Sequence, residues 1–447
     1  MLDKKITTNL KDITWPIFIE TLLMSLLGSM DTLMLGRYSD SAVAAVGITN
    51  QIIWLINLMF GIITAGTAIL LTQNIGAKSS KKDILNISGI SIGVNFILGA
   101  IISILLFLGG RELLKLLNSP DELITLGTQY IDIVGGFTFV QAILMTLTAI
   151  LRSHSLTKVC MKITFIMNII NVVLNYIFIF GKFGFPSLGV SGAALGTTIS
   201  RIIGLIIAFV VCYKYILKDF KFKNLFPFPK LHLINIFKIG IPSAGEQISY
   251  SLSQLVITGF INTIGVESVA TKSYISTLST FAFVFAVAMG QGSSIIVGKL
   301  VGERENDTAY KVYLYALKKS LIVTIIISGA LAIFSHPLLE ILTDSPEIVI
   351  LGGYILIVDF ILEQGRTMNI VGINALRATG DVKFPVYIGI FSMWFFAVGL
   401  GYILGIKLGL GLVGMWIAFT IDECFRGVLV FSRWKNRKWE NKSFIKY

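Results

Sequence analysis

The sequence predicts an all-α integral membrane protein with twelve transmembrane helices in two pseudo-symmetric lobes of six. Three observations predict it. Hydrophobic residues make up 55% of the 447 and charged residues only 14%, about half the usual globular share. Apolar stretches of span length recur from end to end. The first half of the chain also recurs, in register, in the second. Mean hydropathy is +0.81, more apolar surface than a water-facing protein can hide but what a bilayer solvates. Soluble enzymes, disordered regulators and secreted disulfide scaffolds are thereby excluded.

Each span is long enough to cross about 30 Å of hydrocarbon as a helix. The spans fall near 12–36, 43–74, 84–109, 123–150, 160–181, 189–213, 237–262, 268–298, 310–334, 347–376, 384–405 and 411–433. They are continuously apolar and lack the alternation of a lipid-facing barrel strand. No small-residue cleavage site follows the first apolar run, so it reads as a retained helix.

The formal charge of +12 is a matter of topology rather than of nucleic-acid binding. Counting the end turns of each span with the connection they adjoin, 28 of the 37 Lys and Arg residues fall to the amino terminus, the even-numbered connections and the tail, and only 6 to the odd-numbered connections. Arg201, Arg366 and Arg426 lie inside spans. By the positive-inside rule both termini are cytoplasmic. Cys160, Cys212 and Cys424 fall in or beside the membrane on that side, where disulfides are not expected. His154, His232 and His336 form no metal-ligand spacing.

A shift of 226 residues places Pro16 on Pro242, Glu20 on Glu246, Gly66 on Gly292, Gly76 on Gly302 and Ser119-Pro120 on Ser345-Pro346. At 225, Leu151-Arg152 meets Leu376-Arg377 and Lys158 meets Lys383. Six spans per half is an even number, so both halves insert in the same orientation, the parallel type of repeat. The expected organisation is a first lobe over 1–213, a cytoplasmic linker over 214–236 carrying Pro227 and Pro229, a second lobe over 237–434 and a basic tail over 435–447. Such a duplicated bundle suits alternating access about a central site.

A charge within hydrocarbon is expensive and needs a reason. Asp31 lies in the outer half of the first span, with no basic residue within a helical turn of it. Such a carboxylate can exchange a proton or bind a cation; otherwise it caps the outer helix end near Arg37. Asn171 and Asn175 sit four apart on one face of the fifth span, and Thr197 and Thr198 lie on the sixth. Oxygens from three helices could surround a small hard cation, or these groups are polar contacts between packed helices. In the second half, Glu363 and Arg366 are three apart on span ten, with Asp359 one turn earlier; Asp422, Glu423 and Arg426 form a similar set on span twelve. Both sets read as ion pairs that fix structure. Glu20 and Glu246 suit a symmetric structural or gating role as well as a substrate contact.

The chain has no GxxxxGK[ST], hence no nucleotide-driven pumping, and no catalytic metal motif. Neither an enzyme nor a resident cofactor is expected, and transport driven by an ion gradient is what remains.

The segments MDTLMLG, QNIGAKSSKKD, NVVLNYIFIFG, GVSGAALGTTIS, GIPSAGEQ, VGKLVGERENDTA, NALRATGDVKFP and GLGLVGMW, in that order, resemble the multidrug and toxic compound extrusion (MATE) family over nearly the whole chain. The resemblance implies two six-helix lobes arranged as a V around a central cavity. It implies antiport of amphipathic organic cations and drugs out of the cell against entering H⁺ or Na⁺, in the cell membrane, by a chain taken as a monomer. The family's cation site on the first lobe carries over to Asp31, Asn171, Asn175, Thr197 and the backbone carbonyl near Ala193, which are also the candidate Na⁺ ligands. Asn175 stands where the family usually has Asp, which weakens a Na⁺ site and tilts the expectation toward H⁺. Glu246, Glu363 and Arg366 are candidate substrate or gating residues of the second lobe. Glu246 sits about one turn from the matching glutamate and Arg366 replaces an aspartate, so a second-lobe cation site of the family's kind is not expected. The rival reading is a lipid-linked oligosaccharide flippase of the same superfamily, whose cavity would gather arginines for a pyrophosphate.

Overall fold

A computed structural model describes residues 4–117, 119–221 and 229–445, with the side chains of 4, 5, 26 and 29 excepted. Of the expected basic segments, residues 222–228 of the linker, Pro227 among them, and Lys446 of the tail lie outside the described residues, as do the side chains of Lys4 and Lys5.

The described chain is helical, with no strand. In order it forms α1 (Lys4–Gly36), α2 (Asp40–Gly76), α3 (Lys81–Leu116), α4 (Asp121–Tyr130), α5 (Thr138–Ser153), α6 (Thr157–Phe180) and α7 (Val190–Cys212). Then come α8 (Lys230–Ile264), α9 (Val266–Gly302), α10 (Asn306–Ile333), the short α11 (Ser335–Glu340), α12 (Pro346–Thr379), α13 (Lys383–Ser392) and α14 (Gly411–Lys435). Nine spans are long and apolar enough to cross a membrane by length and composition, counting α13 together with its π-helical continuation to Lys407 as one. The fourth span is a bent pair: α4, continued by a π-turn at Ile131–Gly135, meets α5 at 46° across Gly136 and Phe137. The remaining two are α8 and α14, each of span length. On α14 the obstacle is Asp422, Glu423 and Arg426, and on α8 it is a run of Ser and Gln around Glu246. Twelve membrane helices result.

Helix ends follow local chemistry. Ser80 caps α3, its Oγ accepting from the Asp83 amide at 3.1 Å, and Pro346 opens α12, where a missing N–H costs nothing. Gly380 ends α12 with φ +98°, and a side chain there would meet the Lys442 carbonyl at 2.2 Å. The expected tail is therefore packed down: Trp439 is buried and stacks on Trp434 with ring centroids 4.4 Å apart. The expected linker is anchored where it is described, Asp219 pairing with Lys81 and His232 lying 3.5 Å from Asp83.

The chain divides into two compact units. The amino unit is Ile19–Ile75 with Ser79–Gly240; the carboxyl unit is Met1–Phe18, Gly76–Lys78 and Ile241–Tyr447. The divisions fall close to Pro16 and Pro242, so the opening turns of α1 and α8 belong to the opposite unit from the rest of their helices. Small residues permit this. A Cβ on Gly66 would come within 2.4 Å of the Ile236 carbonyl of α8, and one on its repeat mate Gly292 within 2.4 Å of Thr14 Oγ1 on α1. In the amino unit the core gathers Phe60, Ile131, Ile179 and Ala194; in the carboxyl unit one cluster forms round Tyr313 and Trp434, another round Ile261 and Trp416. Ile101, Leu105 and Leu108 of α3 stay exposed, an apolar face that lipid rather than water would solvate.

Candidate functional site

In the amino unit, α1, α6 and α7 bring Asp31, Asn171, Asn175 and Thr197 into one hydrogen-bonded chain. The Asn175 amide donates to Asp31 Oδ1 at 2.7 Å and to Asn171 Oδ1 at 3.2 Å, and Asn171 donates to Thr197 Oγ1 at 3.3 Å. Both asparagines and Thr197 are buried, and Ala193 lies buried one turn before Thr197 on α7. Asp31 therefore faces inward to α6 rather than capping the helix end near Arg37. With Asp31 ionised, the orientation of the Asn175 amide follows from its partners, because the reverse would set a carbonyl oxygen against a carboxylate. Its own Oδ1 is left without a partner and faces Gly196, where a Cβ would stand 2.2 Å from it. The sequence reading did not single out Gly196 or Tyr130, and it noted Arg201 only as one of three arginines inside spans. The Tyr130 hydroxyl donates to Asn50 Oδ1 at 3.5 Å, and Arg201 acts electrostatically on both Tyr130 and Asp31. Arg201 had a signal: it is an arginine inside a span, one turn beyond Thr197.

Within the carboxyl unit, α8, α9, α12, α14 and the π-helical turns that follow α13, at Met393 and Ala397, enclose a cavity of ≈ 470 Å³. Glu246 and Arg366 line it, and Glu363 sits fully buried behind, bound by Arg366 as the three-residue spacing predicts. Arg426 bridges Asp422 at 2.6 Å and Glu423 at 2.9 Å, while Glu423 also accepts from Asn369 at 2.9 Å and lies 3.8 Å from Arg366. Asp359 takes no part in these ion pairs and accepts instead from Ser279 at 2.6 Å and Trp416 Nε1 at 3.0 Å. Of the paired charges read as structural, Asp359 alone is held by neutral donors only.

Glu246 is engaged by Arg377 at 2.6 Å, and its repeat mate Glu20 by Arg152 at 2.7 Å. The four residues are two pairs of repeat positions, so the same intramembrane ion pair is built twice. The correspondence extends further at the shift of 225: Ala193, Thr197 and Arg201 on α7 meet Ala418, Asp422 and Arg426 on α14. One helix face thus carries a neutral hydroxyl in the amino unit and a carboxylate in the carboxyl unit, with an arginine one turn beyond in both.

Buried ionisable groups on duplicated apolar helices, with one carboxylate hydrogen-bonded into an amide chain, define a polytopic membrane transporter. The chain belongs to the MatE family, whose model matches residues 16–177 and 242–403, two segments of equal length in the same register as the internal repeat. It is 42% identical to the "Uncharacterized transporter YisQ" of Bacillus subtilis, over 98% of this chain and 96% of that one. It is 27% identical to the "Probable multidrug resistance protein NorM" of Thermotoga maritima, over 96% and 92% respectively. Its fold matches that of a MATE protein in a bent conformation with a TM-score of 0.87 at 21% identity, covering 98% of each chain. It also matches a Pyrococcus furiosus transporter of the MOP superfamily, described as having a binding pocket of reversed polarity, with a TM-score of 0.86 at 21% identity over 96% and 95%.

Proposed function

We propose that this chain is a proton-coupled antiporter that expels amphipathic organic cations across the cytoplasmic membrane, with both termini in the cytoplasm and Asp31 as the coupling group. The observation that carries the choice of ion is the Asn175 amide, which donates to Asp31 and Asn171 together. A Na⁺ site needs oxygens converging on an empty centre. Here N–H groups stand between the oxygens, and an amide donor does the bridging a cation would do. A proton needs no such centre. As a carboxylate, Asp31 accepts from Asn175; once protonated it carries a donor of its own. The chain Asn175–Asn171–Thr197 then has to rearrange, so proton uptake is tied to how α1 packs on α6 and α7. Expulsion is driven by the proton gradient and, where net charge moves, by about 2.3 kcal/mol per charge per 100 mV of membrane potential. The skew of Lys and Arg toward one set of connections supports the orientation.

A lipid-linked pyrophosphate would need arginines free to hold it. Around the carboxyl-unit cavity Arg366, Arg377 and Arg426 are each held by a carboxylate, which leaves the flippase reading without a site there.

The test is transport of a fluorescent organic cation in proteoliposomes under an imposed proton gradient or an imposed sodium gradient at matched potential. The proton gradient drives transport, the sodium gradient does not, and Asp31→Asn abolishes the driven component. Sodium-driven transport, or an Asp31→Asn protein that performs like the parent, overturns the proposal.

A further inference from the structure

Among the described residues, the carboxyl-unit cavity holds one charge of each sign that its own walls leave unpaired. Glu246 is engaged by Arg377, Glu363 by Arg366, and Asp422 and Glu423 by Arg426. That leaves Asp359 and Lys272, both lining the cavity. Asp359 is buried and holds only the neutral donors Ser279 and Trp416. Lys272 reaches only the neutral Thr258 Oγ1, at 2.7 Å. Arg366 acts on Asp359 at a distance, but its direct contacts are to Glu363 and Glu423.

A protein that needed these charges only for its own stability would join them to each other. Instead polar anchors hold them apart. Lys272 and Ser279, which grips Asp359, are seven residues apart on α9, so the two poles are separated by about 10 Å of helix rise. Trp416 and Phe419, rings 5.4 Å apart, line the same cavity and offer apolar surface to a flat ligand body. At ≈ 470 Å³ the space suits a drug-sized molecule. A buried carboxylate and a partly buried ammonium without counter-charges are unfavourable until something brings them.

We propose that this cavity is a substrate site selective for zwitterionic aromatic amphiphiles, with the ligand's cationic group at Asp359 and Trp416 and its carboxylate at Lys272. The inference rests on the export reading and narrows its substrate class: the cations preferred are those that also bear an anionic group.

Binding is measured on the purified full chain in detergent, with no ion gradient, using a rhodamine that carries a free carboxylate and its methyl ester. The two share a cationic aromatic body and differ in one negative charge. The free acid binds about tenfold tighter than the ester, the worth of one charge-assisted contact. Lys272→Gln erases that preference and leaves ester affinity unchanged, Lys272→Arg keeps it, and Asp359→Asn weakens both ligands alike. Equal binding of acid and ester by the parent, or a preference that survives Lys272→Gln, overturns the assignment. Asp31→Asn should retain the preference. Acid-over-ester binding without proton-driven transport would sink the coupling proposal and leave this one standing.

Discussion

Replacing Asn175 by aspartate tests the amide reading most directly. The substitution is nearly isosteric, but it puts a second carboxylate oxygen where the amide nitrogen now donates, 2.7 Å from Asp31 Oδ1 and 3.2 Å from Asn171 Oδ1. Two unit charges at 2.7 Å repel by about 6 kcal/mol at an effective dielectric of about 20. Side-chain movement lowers that figure without changing its sign. The variant can keep its geometry only by taking up a proton or a cation between the two carboxylates. At about pH 8, where protons are scarce, sodium becomes the ligand. A sodium concentration about a hundred times its Kd would raise the unfolding free energy by about 2.7 kcal/mol. The assay is thermal unfolding in detergent at that pH, in NaCl against KCl at equal ionic strength. Asn175→Asp is stabilised by sodium over potassium and the parent is not. The reasoning fails if the parent shows the same sodium preference, because its oxygens would then already form a cation centre. It fails equally if the variant responds to neither sodium nor acid.

Gly196→Ala sets a methyl 2.2 Å from Asn175 Oδ1, which must push the amide off Asp31; gradient-driven transport falls at least about tenfold while the protein still folds, as transport and melting curves together would show. Arg152→Met leaves buried Glu20 with only the Thr164 hydroxyl, at 3.2 Å, and destabilises by about 3–5 kcal/mol. Adding Glu20→Gln recovers most of that loss, and the Arg377→Met and Glu246→Gln cycle gives a coupling of similar size; coupling energies near zero by denaturant titration would refute the duplicated ion pair. Trp439→Ala removes a stacked ring that is 1% exposed and lowers stability by about 3–5 kcal/mol, whereas an unaltered unfolding midpoint would show the tail to be loosely held.

Class, span count and internal repeat were legible in the sequence because they depend on composition and register alone. Apolar runs of span length admit one solvent, and rare residues such as Pro16 and Pro242, or Glu20 and Glu246, keep their spacing whatever the helices do in space. Pairs on one helix were legible for the same reason: the helical period places Glu363 against Arg366 and Asp422 against Arg426. Asn171 and Asn175 were legible as a pair at helical spacing, and the family resemblance grouped them with Asp31 and Thr197, but only packing of α1 against α6 and α7 gave the hydrogen bonds that join them. Tertiary structure also decided which way the Asn175 amide points, that Arg152 reaches Glu20 across 132 positions, and that Asp359 answers to Ser279 and Trp416 rather than to an arginine. Those outcomes depend on how helices rotate and approach, and helices apolar on nearly every face carry little periodicity from which to read rotation. The sequence by itself therefore determined a duplicated membrane bundle with a few charges inside it, whereas packing determined which of those charges are satisfied by the protein and which are left for a proton or a ligand.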